Sequence, residues 1–225
     1  MQTNISTKTR MVTILGVLSA IAFLVMVFIK IPVLEIPGLT LKYEPKDVII
    51  AIGGFLYGPL ASLSMAVVVA LVEMVTVSET GIYGAVMNAL SSSVFACTAA
   101  FVYMKWRKLA GAATGLICGV VITVPVMLLW NYLMVPIYTG APRPVVAGLL
   151  LPFFLPFNLL KYGLSAAVTM ILYKPIRVAL DKSHLLPIQK GPDAKPSKIS
   201  LGALIISLLV VVTCVLYILS SQGII

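Results

Sequence analysis

Charged residues are scarce in this sequence, and their scarcity excludes an ordinary water-soluble domain. Asp, Glu, Lys and Arg make up only 10% of the 225 residues, whereas hydrophobic residues make up 60%. Soluble domains carry about 25% charged residues, so the expected solvent of this chain is a lipid bilayer. The net charge of +9 does not indicate nucleic-acid binding, because the cations lie at the ends of apolar runs rather than on one polar face.

The groups that carry most enzyme and metal chemistry are also nearly absent. The single histidine is His184, and the three cysteines lie within apolar runs without forming a Cys-x-x-Cys pair: Cys97, Cys118 and Cys214. The sequence contains neither a G-x-x-x-x-G-K-[ST] phosphate loop nor an H-E-x-x-H motif. We therefore expect no catalytic residues, no metal site, no disulfide framework and no cofactor, and an intramembrane enzyme is disfavoured.

Long apolar runs are abundant, and they predict an all-α membrane protein with a six-helix core and one extra C-terminal transmembrane helix. A spanning helix needs about 20 apolar residues. The run at 47–75 is divided by Gly58-Pro59 into two short helices, and residues 30–46 are expected to form a structured loop. The predicted helices are 11–29, 47–57, 60–75, 84–103, 112–137, 150–173 and 200–219. The corresponding units are a core at 1–180, a polar cytoplasmic linker at 181–199 and the additional helix at 200–225.

The distribution of Lys and Arg predicts the orientation of these helices. The first run lacks a small-residue cleavage site, so we interpret it as a retained helix rather than a signal peptide. With the N-terminus in the cytoplasm, eleven Lys and Arg residues lie on the inner side and four on the outer side, while Lys161 lies inside a helix. An excess of cations on the cytoplasmic side is typical of bacterial membrane proteins. We therefore predict a multi-pass protein of the cell membrane with a cytoplasmic N-terminus.

A few polar residues interrupt the apolar runs, and they are the candidates for a ligand site. Asn158 and Lys161 are three residues apart in the sixth run, so they share one face of that helix. Asn131 lies in the fifth run and Asn88 in the fourth. Polar groups inside membrane segments are costly and commonly line a ligand path. Together with Tyr43 and Glu44 of the first outer loop and the ring of Phe157, they would suit a flat heteroaromatic ligand that carries carbonyls and hydroxyls.

Each candidate also has a simpler interpretation. Lys161 could extend to the outer interface as a snorkelling side chain. Asn131 and Asn88 could hydrogen-bond neighbouring helices. Glu73 and Glu79, near the outer end of the third helix, are interpreted as solvated or paired rather than ligand-binding.

Small residues in the first helix form a second candidate site. Gly16 and Ala20 give a small-x-x-x-small pair, which lets another helix approach closely. The approaching helix could belong to this chain or to a partner protein.

Several of these stretches together resemble one family of membrane proteins. They are LKYEPKDVIIAIGGFLYGPLAS at 41–62, the NYLMVPIY run at 131–138, PFNLLK at 156–161 and LYK at 172–174, together with the small residues of the first helix. Over residues 8–180 the chain resembles the S-components of energy-coupling factor (ECF) vitamin transporters. PFNLLK and the Asn131 run are similar to the riboflavin-specific branch, whereas IGGFLYGP is general to S-components.

The resemblance implies a six-helix protein that captures riboflavin at the outer face and has no ATPase activity of its own. Its partners would be membrane lipid, an ECF transmembrane coupling protein and two cytoplasmic ATPase subunits that use the ATP. Asn131, Asn158 and Lys161 would hold the flavin with help from Leu41, Tyr43 and Glu44, and Gly16 and Ala20 would contact the coupling protein. Release is expected to follow a reorientation of the protein in the membrane.

Three questions stay open at this stage. The ligand could be another vitamin or cofactor precursor, and flavin mononucleotide is left open as a second flavin. The chain could instead be a membrane interaction protein whose polar residues only join helices. The seventh helix lies outside the resemblance and has no assigned function.

Overall fold

The computed structural model describes residues 7–36, 39–78, 80–182 and 201–221, which form a helical bundle with one short β-hairpin. The predicted all-α membrane fold with an added C-terminal helix is confirmed. Five helical stretches are long and apolar enough to cross a membrane, and a shorter apolar stretch lies at Leu204–Ser220. The elements in chain order are α1 (Thr7–Phe28), β1 (Ile31–Ile36), β2 (Leu39–Tyr43), α2 (Lys46–Tyr57), α3 (Pro59–Thr76), α4 (Gly81–Lys105), α5 (Leu109–Thr139), α6 (Arg143–Leu149), a π-helical turn (Leu150–Phe154), α7 (Leu155–Lys182) and α8 (Leu201–Ser221).

The segment predicted as a structured loop is a two-stranded antiparallel hairpin. β1 pairs with β2 from Ile31 opposite Tyr43 to Ile36 opposite Leu39. The pairing shifts between Pro32 and Leu34, so Val33 is an extra residue that forms a bulge. The prolines and charges of this stretch concealed its strand-forming residues from the sequence analysis. The hairpin defines what we call the hairpin end of the bundle, where α1 and α3 end and where α2 and α4 begin.

The predicted break at Gly58-Pro59 is confirmed by a tight connection between α2 and α3. Gly58 has a φ of 98°, which glycine adopts without steric cost, and Pro59 is the first residue of α3. The two helices pack closely, since a Cβ atom on Gly54 would lie 1.9 Å from the Ser62 hydroxyl oxygen. This close packing lets two short helices fold back on each other inside the bundle.

Small residues also bring α4 and α5 together. A Cβ atom on Gly115 would lie 2.5 Å from the carbonyl oxygen of Ala99, so only glycine permits this approach of the two backbones. Ala96, Ala99 and Ala100 on α4 are fully buried. Close contact through small residues is a common way to pack membrane helices.

The sixth predicted helix is longer than expected and contains an irregular turn. Helical structure begins at Arg143 rather than near residue 150, and it continues through Lys182 into the predicted linker. The backbone N–H of Leu155 bonds to the carbonyl of Leu150, five residues earlier. Pro152 and Pro156 lack the N–H of a regular helix, which explains the local change of hydrogen bonding. The irregular turn directly precedes Asn158.

The remainder of the predicted linker, residues 183–199, lies outside the described residues, so the proposed unit boundaries stay a prediction. The additional helix α8 agrees with the predicted 200–219. It packs along α7 and also contacts β1. The buried core of the bundle is formed mainly by α1 to α5 and α7.

Candidate functional site

A buried ion-pair network lies at the hairpin end, where the hairpin passes into α2. The Lys46 ammonium group lies 2.7 Å from Glu44 Oε2 and 2.6 Å from Glu73 Oε2 on α3. The Asn88 amide on α4 donates a hydrogen bond of 2.8 Å to Glu73 Oε1. All four residues are buried. The network ties the connection after the hairpin to α2, α3 and α4.

A second buried pair lies beside this network and involves Asp47 and Lys161. Asp47 Oδ1 accepts a hydrogen bond of 2.5 Å from the Ser92 hydroxyl on α4. Its other oxygen, Oδ2, lies 3.9 Å from the Lys161 Nζ and has no hydrogen-bond partner among the described residues. The position of Asp47 in the first turn of α2 favours its negative charge, because the N-terminus of a helix is partially positive.

Two tyrosine hydroxyls near this pair form no hydrogen bond of good geometry within the described part of the chain, although Ser165 lies near one of them and Ser91 near the other. They belong to Tyr43 at the end of β2 and Tyr162 on α7, and both side chains are buried. The Lys161 Nζ lies 5.5 Å from the centroid of the Tyr162 ring, at a distance typical of a cation–π contact. Buried polar atoms are nearly always hydrogen-bonded in native proteins. Several polar atoms without well-formed hydrogen bonds around one ammonium group therefore mark a place where a polar ligand would find partners.

Lys161 points into the bundle rather than to the membrane interface. Its side chain is 8% exposed, and its ammonium group faces Asp47. The snorkelling interpretation is therefore wrong. One turn earlier, the Asn158 amide nitrogen donates a hydrogen bond of 2.7 Å to the Phe154 carbonyl, which leaves its carbonyl oxygen and a second N–H available.

Asn131 and Leu41 are connected to this region through an apolar cluster. Asn131 is buried on α5, and Val135, one turn later, packs with Val146 and Phe154. Leu41 of β2 packs against the same cluster. The face of α5 that carries Asn131 thus meets the hairpin and the irregular turn before Asn158.

Tyr43 and Phe157 belong to another apolar cluster. It contains Val33 of β1, residues of α7 and Ile218 of α8: Val33, Tyr43, Phe157, Leu160, Leu164 and Ile218. Phe157 is therefore part of the packing that fixes the hairpin on α7.

Two neighbouring titratable groups where the hairpin passes into α2, Tyr43 and Glu44, have pKa values shifted in opposite directions. Burial raises the pKa of the Tyr43 hydroxyl to about 12, and the nearby Asp47 carboxylate contributes to the rise. Burial alone would also raise the pKa of the Glu44 carboxyl, but the ammonium groups of Lys46 and Lys161 lower it below its ordinary value. At neutral pH the site therefore presents a neutral phenol beside a charged carboxylate.

The structure brings most of the predicted site residues to one end of the bundle. Tyr43, Glu44, Asn88 and Lys161 lie in or beside the polar network, and Asn158 lies one turn from Lys161. Asn88 is engaged with Glu73, as its interhelical interpretation predicted. Glu73 is buried and paired with Lys46. Glu79 lies outside the described residues.

Sequence reasoning missed two charged residues of the site, Lys46 and Asp47. Lys46 was counted among the cations of an outer loop, yet it is 1% exposed and paired with two carboxylates. Asp47 was not considered, although it is fully buried beside Lys161. The stretch YEPKD could have revealed them, because it places charges of opposite sign at the start of a helix that is otherwise apolar. A charge retained at the start of a buried helix needs a buried partner.

The candidate partner surface on α1 faces outward. Gly16 and Ala20 are exposed, and a Cβ atom on Gly16 would meet no atom within 4 Å. The same face carries exposed apolar side chains, including Val17 at 54% and Leu24 at 49%. The small residues therefore do not serve packing within the described part of the chain.

Comparisons with known proteins agree with this architecture. A family model described as "ECF transporter, substrate-specific component" matches residues 10–173. Among solved structures, the chain is similar to one reported under the words "Structure and mechanism of the S component of a bacterial ECF transporter". The two share 30% sequence identity with a TM-score of 0.63, over 78% of this chain and 99% of the other. No curated protein matches the chain. The family match ends at residue 173, so α8 lies outside it.

Proposed function

The chain belongs to the family of substrate-specific components of ECF transporters, and on that premise we propose that it binds riboflavin beneath the hairpin. The proposal concerns the ligand, the residues that hold it and the side of the membrane from which it enters. Members of this family are transport proteins rather than enzymes and associate with a membrane coupling protein and ATPases.

The observation that carries the proposal is the buried pair of Lys161 and Asp47, whose facing atoms do not hydrogen-bond to each other. The 3.9 Å separation of Nζ and Oδ2 is too long for a hydrogen bond, and both groups are buried. A ligand group that both accepts and donates could occupy this region and satisfy both. Riboflavin has such groups, because its ring system carries carbonyls and an imide N–H and its ribityl chain carries hydroxyls. It is also neutral, so it adds no charge to a site with carboxylates and ammonium groups already in place.

The two asparagines would supply further hydrogen bonds to a flat ring. The hydrogen bond from Asn158 to the Phe154 carbonyl uses one of its two amide N–H groups, so its other N–H and its carbonyl oxygen are the groups that could bind the ring. Asn131 is buried on the helix opposite, on a face that meets Leu41 and the turn before Asn158. This placement supports the roles that the resemblance to the riboflavin-specific branch implies for Asn131, Asn158, Lys161, Leu41, Tyr43 and Glu44.

We infer that the hairpin end faces the outside of the cell. The start of α1, the end of α4 with the α4–α5 connection, and the end of α7 with residues 183–200 hold eleven of the sixteen Lys and Arg residues, which favours the cytoplasm for the end opposite the hairpin. Riboflavin would then enter from outside, and partner ATPases would supply the energy for its release inward.

A titration of intrinsic flavin fluorescence tests the ligand assignment. The purified full-length chain is titrated into riboflavin, flavin mononucleotide, thiamine and biotin, with fluorescence quenching for the flavins and calorimetry for the other two. Saturable binding of riboflavin at one site per chain supports the proposal. Binding of thiamine or biotin without riboflavin would contradict it and assign another vitamin, and binding of none would favour an interaction protein.

The outward face of α1 provides a test of the partner surface. Gly16→Leu adds a side chain that meets nothing within this chain, so riboflavin binding should be unchanged. Uptake by cells that contain the coupling module should fall by at least tenfold, because the coupling protein's helix is held away. Val12→Leu, at an exposed position on the same helix, is the matched control. Normal uptake with Gly16→Leu would show that this face is not the docking surface.

A further inference from the structure

We propose that α8 is a clamp that holds the hairpin over the ligand site and slows ligand escape. α8 lies outside the part of the chain that the family model matches, so its role does not follow from family membership. The inference rests on the proposed function for the identity of the ligand. Whether α8 restrains the hairpin does not depend on which ligand is bound.

One face of α8 is packed and the opposite face is not. The less exposed positions recur at helical spacing along the helix: Leu204, Ser207, Val210, Val211, Cys214, Ile218 and Leu219. Ser207 is 7% exposed and Ile218 is 5% exposed, whereas Leu209 is 63% exposed and Leu216 is 51% exposed. A single packed stripe shows that α8 is attached to the bundle along its length and turns its other face to lipid.

The packed stripe reaches the hairpin at its C-terminal end. α8 contacts α7 along the bundle and contacts β1. Ile218 belongs to the buried cluster that contains Val33 of β1, Tyr43 of β2 and Phe157 of α7. The bulge at Val33 places this extra residue in the cluster, at 2% exposure. The last turns of α8 thus cover the side of the hairpin that α7 alone would leave open.

Tyr43 connects this cluster to the polar site. Its ring is packed with the cluster that contains Ile218, and its hydroxyl is buried close enough to Asp47 and Lys161 to interact with both electrostatically. Glu44, the next residue, is paired with Lys46. A displacement of Tyr43 would therefore change the surroundings of Lys161 and Asp47 and would also move Glu44 in the ion-pair network.

The hairpin needs such support because two strands alone are marginally stable. It must also move if a ligand is to enter a site that is buried in the closed form. A packing contact present only in the closed form lowers the population of the open form. Removing that contact should therefore raise the rate of ligand escape, and the rate of entry should rise with it because both need the open form.

Three variants of the full-length chain in lipid nanodiscs test the clamp. Ile218→Ala removes the packed side chain, and Ile218→Val retains most of it. Leu216→Ala removes an equal number of carbon atoms from the lipid-facing side of the same helix. Thermal unfolding of each variant establishes that the bundle remains folded.

The first readout is hydrogen exchange of the backbone amides of residues 31–43 in the ligand-free protein. We expect Ile218→Ala to raise exchange in the hairpin about tenfold while amides of α4 and α5 are unchanged, with Ile218→Val close to the parent. Leu216→Ala should leave the hairpin unchanged. Equal exchange in all variants, or a rise spread over the whole bundle, would overturn the clamp.

The second readout is the dissociation rate of riboflavin after dilution, followed by the recovery of its fluorescence. We expect about tenfold faster dissociation for Ile218→Ala and a comparable rise in the association rate, because entry and escape both need the open form of the hairpin. An unchanged dissociation rate would overturn the proposal even if the hairpin is looser. If the parent chain does not bind riboflavin, the ligand assignment fails, while the exchange experiment still decides whether α8 restrains the hairpin.

Discussion

The same three helices, α2, α4 and α7, form two very different regions at opposite ends of the bundle. At the far end, the rings of Phe55, Tyr103 and Tyr173 pack with centroid distances of 4.8 to 5.6 Å, and the two tyrosine hydroxyls hydrogen-bond to each other. At the hairpin end, these helices bring together Asp47, Ser92 and Lys161, and the carboxylate and ammonium groups stay 3.9 Å apart.

The difference shows how one bundle can separate stability from binding. At the aromatic end the rings pack against one another and the two hydroxyls hydrogen-bond to each other, so this contact needs no ligand. Buried charges that do not fully satisfy one another cost stability, and a structure retains them where they are functional. We therefore assign ligand binding to the hairpin end and stabilisation of the bundle to the aromatic end. The following changes test this division, beginning with the largest expected effect.

Lys161→Met should have the largest effect on binding. It removes the ammonium group while keeping the length of the side chain, so a bound ligand would lose a buried charged partner. We expect the riboflavin Kd to rise by about 10- to 100-fold, from a loss of about 1.5–3 kcal/mol for a hydrogen bond to a charged group. The Kd is measured by fluorescence quenching.

Lys105→Met is the matched control for Lys161→Met. Lys105 lies at the other end of α4, where its ammonium group packs over the Phe101 ring at 4.8 Å. Its replacement should leave the Kd unchanged. Equal effects of the two substitutions, or none from Lys161→Met, would contradict the assignment of binding to the hairpin end.

Asp47→Asn should weaken riboflavin binding about tenfold, or about 1.4 kcal/mol. The amide can still accept the hydrogen bond from Ser92, but it no longer offers a charge to Lys161 or a carboxylate oxygen to the ligand. Ser92→Ala, which leaves the carboxylate in place, should change the Kd less. Calorimetric titration of both variants makes the comparison, and the reverse order of effects would show that Asp47 acts only through Ser92.

Tyr103→Phe should lower the free energy of unfolding by about 1 kcal/mol, because the Tyr173 hydroxyl loses a partner. Tyr173→Phe should have a similar effect, and the double variant should be less destabilised than the sum of the two. Denaturant unfolding in mixed micelles measures these values. Riboflavin binding by all three should match that of the parent, and a raised Kd would place part of the site at the aromatic end.

Glu44→Gln should have the smallest effect, a loss of stability that is present at neutral pH and disappears in acid. Because the folded-state pKa of Glu44 is lowered from about 4.5, its contribution to stability is complete above that pH and is lost as the pH falls through the folded-state pKa. The melting temperature of the parent should therefore drop more steeply below about pH 4.5 than that of Glu44→Gln. Parallel pH profiles for the two proteins would show that Glu44 is not stabilised in its charged form.

The helices and their main break could be predicted from local sequence, whereas the charge pairing could not. Long apolar runs and Gly58-Pro59 act locally, so they indicated each helix and the α2–α3 turn correctly. The hairpin was missed because Pro32 and the bulge at Val33 disturb the alternation that marks a strand. The hydrophobic pattern also gave no sign that the sixth helix begins at Arg143.

Burial of a charge depends on residues that are distant in sequence. Lys46 looked like a loop cation because its partner Glu73 lies at the far end of the next helix. Lys161 could be identified as unusual by its apolar surroundings, but its partner Asp47 could not. The sequence therefore predicted the element that carries each polar side chain better than the contacts that each side chain makes.

The most direct test of the assignment is to purify the full-length chain in mild detergent without added ligand and to look for bound flavin. Absorbance of the native protein and fluorescence after denaturation measure its amount. We expect a yellow protein that releases about one riboflavin per chain from the parent and from Lys105→Met, and a nearly colourless one from Lys161→Met. A colourless parent that also fails to quench added riboflavin would contradict the assignment of a flavin site at the hairpin end.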